Sequence, residues 1–496
     1  MASAFVGGIL LAAPGCNVLK STTYCHQTTA ANDCGRGTRC SAAGFCEHGG
    51  PVHIGAFLSL TGQTKYTAIG EAGREAFDFA TELFGGRIAG GPEAILGRGI
   101  AFDLVDDGAV VDGLDTKSDV LIANNPVAAI GPIFSSQVFE TQKKTLAAKL
   151  LQVAPFAGAR LVGEAQSKAP EGRYLFQLSP DIYHGSPRAM VKYLTENSAD
   201  GPSAKTCKEL GIIANDDTTG VDYVNSFSDH FRNNCLSLRY VKKIPATLQA
   251  PTFYDGIVAD FAAGGAAANT SCLLYSVNPD VAGAIALAFE RRAPALAGPR
   301  YHLATSLLRP ANLFDTTKSA YAGREILSLG WYGVDVDAAP VRQEVVQLLD
   351  LYNKYLEAHD RPAVTELPDR FAQYFDAAAG IALALELAGP DAAPETFRDA
   401  YLAVTSDGGQ DTAYGPASLG DLLAAVRREK ASFPARAPAV NYNGAAADIE
   451  FLDFGFIEAP TFVWKVAKTS DDYEFAPIRR YSTDDLRSVD GMKACP

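Results

Sequence analysis

From Val52 onward the chain alternates short apolar runs with amphipathic stretches of about ten to fifteen residues, and this alternation restricts the fold more than any other feature. VHIGAFL (Val52–Leu58) reads as a strand. The polar loop after it leads into a helix over Glu71–Phe84, where Ala72, Ala76, Phe79, Ala80 and Phe84 fall near one face. The pattern repeats through a strand at Ile100–Val105, a helix near Asp112–Ala123, a strand at Val127–Gly131, a helix over Phe134–Leu150 and a strand at Leu150–Ala154. Successive strand–loop–helix units predict a parallel sheet with helices on both faces.

A second series follows YLFQLSP (Tyr174–Pro180): a helix through Met190, a strand at Leu210–Ala214, a helix over Val221–Phe231, the run LSLRYVKKI, a helix near Asp255–Phe261, a strand at Cys272–Val277 and a helix over Asp280–Arg291. Beyond it lie YHLATSL (Tyr301–Leu307), EILSLGWYG (Glu325–Gly333), long helices over Val341–Glu357 and Arg370–Leu387, and the strand-rich GFIEAPTFVWKVAK (Gly455–Lys468). A chain of 496 residues exceeds the ~250–300 at which one core stops growing, so two globular bodies are expected.

The formal net charge of -14 argues against nucleic acid as a partner, because phosphate binding needs a basic surface. Past the first residues we find no apolar run near the ~18–20 residues that cross a bilayer. Catalysis is not expected: G-x-S-x-G, H-E-x-x-H and G-x-x-x-x-G-K are missing, and the seven histidines are scattered. Asp106-Asp107 and Asp216-Asp217 are neighbours whose side chains diverge on a strand, so neither makes a proton-sharing dyad. No catalytic residue, metal or cofactor is assigned.

The first sixteen residues, MASAFVGGILLAAPGC, carry an apolar stretch before Cys16 and resemble a bacterial lipoprotein signal, although Ala13-Pro14-Gly15-Cys16 lacks the usual leucine. The resemblance implies lipidation at Cys16, export to the periplasm or cell surface, and contact with membrane through the lipid alone. Setting Cys16 aside leaves eight cysteines, an even number that suits disulfides in an oxidising compartment. Cys25, Cys34, Cys40 and Cys46 lie in a segment with almost nothing apolar to bury, which needs staples to hold a shape, so two local disulfides are expected in a stalk over residues 17–50. Their spacing lacks the paired C-x2-C of zinc sites. Cys207 and Cys235 precede successive strands and are expected to pair, leaving Cys272 with Cys495. Cys207 with Cys272 is the alternative, because a doubly wound order places one strand beside both neighbours.

Six motifs in order resemble the branched-chain amino acid and amide-binding type of periplasmic solute receptor. They are Leu60-Thr61-Gly62 with Gly70; Gly85-Gly86-Arg87-Ile88 with Leu96-Gly97-Arg98; Asp106-Asp107; Ile130-Gly131-Pro132-Ile133-Phe134-Ser135-Ser136; Tyr374-Phe375-Asp376-Ala377; and Val440-Asn441-Tyr442-Asn443-Gly444-Ala445 with Ile449, Phe451 and Asp453. The resemblance implies two doubly wound α/β lobes joined by three hinge crossings, near Phe176–Pro180, Tyr301–Thr305 and Phe454–Glu458. Lobe one would be residues 51–176 plus 301–456 and lobe two 177–300 plus 457–481, with a tail at 482–496. It further implies a monomeric body that closes on a small molecule, an amino acid, amide or related compound, and delivers it to the permease of an ABC importer. A ligand sensor that signals to a partner protein is the alternative, since one fold serves both uses.

Ligands of such sheets sit beyond the carboxyl ends of the strands, where helix N-termini aim free N–H groups. In lobe one, Ser135 and Ser136 are expected to hold a carboxylate or amide oxygen. Ala157 and Gly158 stand where the family has a Ser-Pro-x-x-Thr clamp, here without its threonine, leaving backbone groups to bind. In lobe two Asp217, Thr219 and Asn278 are the expected contacts, with Asp216 and Ser276 beside them and with Thr219 in the place of a family tyrosine. Tyr66, Tyr183 and Trp331 would supply aromatic walls.

Overall fold

The computed structural model describes residues 34–490, apart from 168–171, 197–202, 265–271, 293–300, 306–324, 331–342, 406–412, 469–472 and scattered positions between 35 and 63 and between 437 and 458. Cys16, Cys25, Trp331 and Cys495 lie outside the described residues.

The first sheet is built from β1 (Val52–Leu58), β2 (Ile100–Asp106), β3 (Ala128–Ile130), β4 (Leu151–Ala154) and β5 (Leu175–Gln177), all parallel in the order β2-β1-β3-β4-β5. Helices α1 (Thr64–Leu83), α2 (Leu114–Ala123), α3 (Ser135–Ala147) and α4 (Arg160–Ser167) connect them. Every residue of β1 is buried, as expected of a parallel strand covered on both faces.

The second sheet takes β6 (Glu209–Asn215), β7 (Ser237–Ile244), β8 (Cys272–Ser276), β9 (Tyr301–Ala304) and β10 (Glu325–Gly330), with α5 (Ser186–Glu196), α6 (Thr218–Asn233), α7 (Pro251–Ala263) and α8 (Pro279–Arg292). The chain then returns to the first lobe as α9 (Gln343–Ala358), α10 (Phe371–Ala388), α11 (Pro394–Thr405), the short pair β11 (Ala413–Tyr414) and β12 (Asn441–Tyr442), and α12 (Leu419–Glu429) between them. It crosses once more to lay β13 (Thr461–Lys468) and β14 (Tyr473–Tyr481) on the second sheet and ends in α13 (Thr483–Arg487). The full order is β14-β13-β10-β9-β8-β6-β7, with β13 and β14 antiparallel to their neighbours.

This topology corrects the boundary expected at Tyr301. Tyr301 pairs with Cys272 and Glu325 with Tyr301, both in parallel register, so β9 and β10 extend lobe two. The second crossing therefore lies beyond Gly330. The disulfide pairing is corrected too: Cys207 is bonded to Cys272 at the head of β8, which excludes both Cys207–Cys235 and Cys272–Cys495. The strand order explains it, since β6 lies between β7 and β8 and its lead-in can reach either. Cys235 is disulfide-bonded as well. α10 is also long and apolar enough to cross a membrane, contrary to the sequence reading, but 94% of it is buried in the core of lobe one.

The described part of the cysteine-rich segment, from Cys34 to Glu47, packs onto lobe one. Cys34 and Cys46 are bonded, and Cys40 is disulfide-bonded too. The Arg36 guanidinium donates to the carbonyls of Lys149 (3.0 Å) and Ala148 (2.7 Å) just past α3. Arg39 pairs with Asp103, which also meets His53 Nδ1 at 3.0 Å. Gly37 N–H donates to Asn125, ahead of β3. Lys149, Asn125 and His53 mark the amino ends of the strands, so the segment covers the edge opposite the one where α1 and α3 begin.

The Cys207–Cys272 bond spans 65 residues of sequence, and a crosslink of that size stabilises by restricting the unfolded chain. Replacing both cysteines with serine is expected to lower the unfolding free energy by about 2–4 kcal/mol in urea titration monitored by circular dichroism. An unchanged midpoint would show that the bond adds no stability.

Candidate functional site

One apolar cluster joins Val138, Ala154, Ala157, Ala159 and Val162 of lobe one to Ala189, Leu210, Ala214, Tyr223 and Leu274 of lobe two. Ala154 ends β4 and Ala214 lies at the end of β6, so the two strand edges meet across this cluster.

The same local device shapes each edge. A Cβ on Gly70 would stand 2.2 Å from the Ser59 carbonyl, and one on Gly220 1.9 Å from the Asn215 carbonyl. Only glycine lets α1 and α6 cross so close over the strands they follow. Beside Ser59, Asp106 accepts from the N–H groups of Leu60, Thr61 and Gly108 and from the Thr61 hydroxyl. Burial pushes its pKa up, but these bonds hold it below the usual carboxylate range. Asp107 accepts from the Ser59 hydroxyl at 2.7 Å, and burial raises its pKa. Both acids therefore fix loops.

Ser135 and Ser136 divide the work expected of either. Ser135 is buried, and its Oγ accepts from the N–H groups of Gly158 (3.2 Å) and Ala159 (3.1 Å). Ser136 is half-buried in the first turn of α3, and its hydroxyl makes no hydrogen bond among the described residues. The Gly158 carbonyl accepts from Ile182 N–H at 2.6 Å, and the Ala157 carbonyl accepts from the Ser179 hydroxyl. These groups at Ala157 and Gly158, expected to touch ligand, are thus engaged within the protein. Tyr66 packs edge-on against Phe134 at 4.8 Å. A second aromatic pair, Phe156 on Tyr374 at 5.1 Å with the Arg370 guanidinium 5.3 Å above Phe156, stands at the loop after β4.

In lobe two Asp217 caps α6 by accepting from Gly220 N–H at 2.8 Å, and burial raises its pKa. Thr219 lies half-buried in the same turn. Asn278 ties strand ends together: its Nδ2 donates to the Ala246 carbonyl at 2.9 Å and its Oδ1 accepts from Asn215 Nδ2 at 3.3 Å. Tyr183 is not grouped with them. Its ring packs on His230 (4.5 Å) and under the Arg160 guanidinium (5.0 Å), and its carbonyl accepts from His230 Nε2. A separate groove of about 510 Å³ runs between α1 and α9, lined by Glu71, Glu75, Asp78, Tyr355 and Arg361, with Arg361 paired to Glu75.

Residues 51–421 match the sequence model of a family described as periplasmic binding protein. The chain belongs to this family. Solved structures agree on the fold. A leucine-binding protein of Thermotoga maritima aligns over 87% of this chain and 99% of its own, at 16% identity and a TM-score of 0.60. An ABC-transporter solute-binding protein of Rhodopseudomonas palustris in complex with p-hydroxybenzoic acid aligns over 87% and 97%, at 12% identity and 0.61. A substrate-binding protein of Desulfitobacterium hafniense in complex with leucine aligns over 86% and 99%, at 13% and 0.55. No curated protein matches the chain by sequence.

Besides the hinge crossings, this periplasmic binding protein joins its lobes through a residue that no motif marks. Asp222, on α6 of lobe two, accepts from the N–H of Arg160 at the start of α4 in lobe one, at 2.6 Å. It caps a helix of the opposite lobe, while the Arg160 side chain pairs with Glu164 at 2.8 Å. Burial pushes the Asp222 pKa up to about 7, and the neighbouring carboxylates Asp181 and Glu164 add to the rise against the pull of Arg160. An acid whose pKa rises on burial from 3.8 to about 7 favours the joined lobes most below its exposed value, and that stabilisation is lost as pH climbs through the buried one. The melting temperature of the wild type is therefore expected to fall between about pH 4 and pH 7 more steeply than that of Asp222→Asn, which cannot titrate. The lowered pKa of His230 acts in the opposite direction but is common to both proteins. Parallel pH profiles in differential scanning fluorimetry would show that Asp222 does not titrate on opening.

Proposed function

We propose that this protein is an extracytoplasmic receptor that closes on a small polar molecule, an amino acid, amide or related compound, and delivers it to an ABC importer. The observation that supports this most is the meeting of two strand edges rich in polar groups across a cluster shared by both lobes. Ser136 at the start of α3, with Thr219 and the capped end of α6, lies at those edges, where helix N-termini favour ligand oxygens. The relatives described with leucine and with p-hydroxybenzoic acid are both carboxylate complexes, which suits an anion-accepting end in lobe one. Lobe one would hold residues 51–177 and 343–456, and lobe two most of the remaining body. Export fits a periplasmic family, and Cys16 would carry the lipid that keeps the receptor beside its transporter.

Native mass spectrometry of the gently purified protein is expected to show a retained small molecule, lost on mild activation. Readdition at ~100 times its dissociation constant should raise stability by about 2.7 kcal/mol. A protein that retains nothing and melts at one temperature across a broad solute panel would contradict the receptor reading.

A further inference from the structure

Four side chains at the carboxyl edge of the second sheet carry oxygens left unpaired among the described residues. Asn215 ends β6, Ser276 ends β8 and Thr305 directly follows β9. Thr461 opens β13, which runs antiparallel, so its first residue stands at that same edge. The strand order β13-β10-β9-β8-β6 sets the three hydroxyls in a row on one face, with only β10 between Thr305 and Thr461, while Asn215, two residues past Ile213, ends β6 on the other face. None is more than 2% exposed. Among the described residues, Asn215 Oδ1, Ser276 Oγ, Thr305 Oγ1 and Thr461 Oγ1 have no hydrogen-bond partner, while Asn215 Nδ2 is held by Asn278. A buried polar atom left unpaired costs roughly 1–3 kcal/mol, so three hydroxyls in one row point to a partner beyond the described residues.

The chemistry of the row is uniform. The three hydroxyls accept or donate, and none carries charge. Of the adjoining acids, Asp217 is committed to capping α6 and Asp216 is exposed. α6 and α8 begin just past Asn215 and Ser276, and their N-terminal partial positive charge disfavours a cation there. Ser276 and Thr305 follow Leu274 and Leu303 by two residues on their strands, which puts them on the face of the sheet whose core is continuous with lobe one.

We propose that this row is the lobe-two wall of the ligand site, and that it selects a molecule presenting uncharged hydrogen-bond donors, hydroxyl or amide N–H, over one presenting the ammonium of a free amino acid. The inference rests on the receptor reading and narrows its ligand class. A carboxylate on the same molecule would lie at Ser136 and the start of α3, leaving its hydroxyl or amide end for lobe two.

Paired probes that differ in one group test it: leucine against 2-hydroxyisocaproate, and 4-(aminomethyl)benzoate against 4-(hydroxymethyl)benzoate and 4-carbamoylbenzoate. They are titrated calorimetrically into the full-length protein, and any retained molecule is identified by mass. The hydroxyl or amide member is expected to bind at least about tenfold more tightly than its ammonium counterpart. Ser276→Ala and Thr305→Val are each expected to weaken that binding about tenfold while leaving the unliganded melting temperature unchanged or raised, since removing an unpaired buried hydroxyl removes its desolvation penalty. A merely structural role would lower the melting temperature and spare affinity. Tighter binding of the ammonium member, retention of an amine, or variants with undiminished affinity would overturn the inference and leave the receptor reading standing. Absence of any binding or retained molecule would overturn both.

Discussion

The apolar cluster shared between the lobes determines what the rest of the molecule can do. Small residues, Ala154, Ala157 and Ala159 on one side and Ala189 and Ala214 on the other, let the strand edges come close, and Tyr223 and Leu274 fill what remains. Close approach brings backbone polar groups out of water, and each then needs a partner. Ser135 provides one for Gly158 and Ala159, Ser179 for Ala157, and Asp222 for Arg160. The cross-lobe hydrogen bond is thus a consequence of burying the contact, and its acid acquires a raised pKa for the same reason.

Much of this was legible in the sequence because parallel strands buried on both faces leave continuous apolar runs. VHIGAFL and CLLYS needed no partner to be recognised. What the sequence could not supply was adjacency between distant segments. YHLATSL and EILSLG read as strands, yet nothing in them says whether they join β8 or return to β1; they join β8. For Cys207 the first expected partner, Cys235, fails and the alternative, Cys272, holds, because β6 borders both β7 and β8 and the sequence does not choose between them. The pair Ser135-Ser136 marked the right place, but only packing decides which hydroxyl holds the loop. No motif marks Thr461 or Asp222, and Thr305 falls in an expected hinge crossing.

Two features separate the ends of the molecule. At the amino ends of the first sheet, Arg36 and Arg39 bind a disulfide-stapled segment onto lobe one. At the carboxyl ends, glycines bring helices tight over the strands, and polar groups gather with some left unpaired. Covalent stiffening thus lies at the edge opposite the one where the lobes meet, and leaves the meeting edge free to open.

The central claim is that a ligand occupies the space between the two carboxyl edges. Amide hydrogen exchange on the protein with its retained ligand, and after that ligand is removed, tests it most directly. The account predicts slowed exchange in the liganded state at residues 59–62, 134–136, 215–220 and 276–278, with the first turns of α3 and α6 changing together. Protection confined to the groove between α1 and α9, around Glu75 and Arg361, with both edges unaffected, would contradict it.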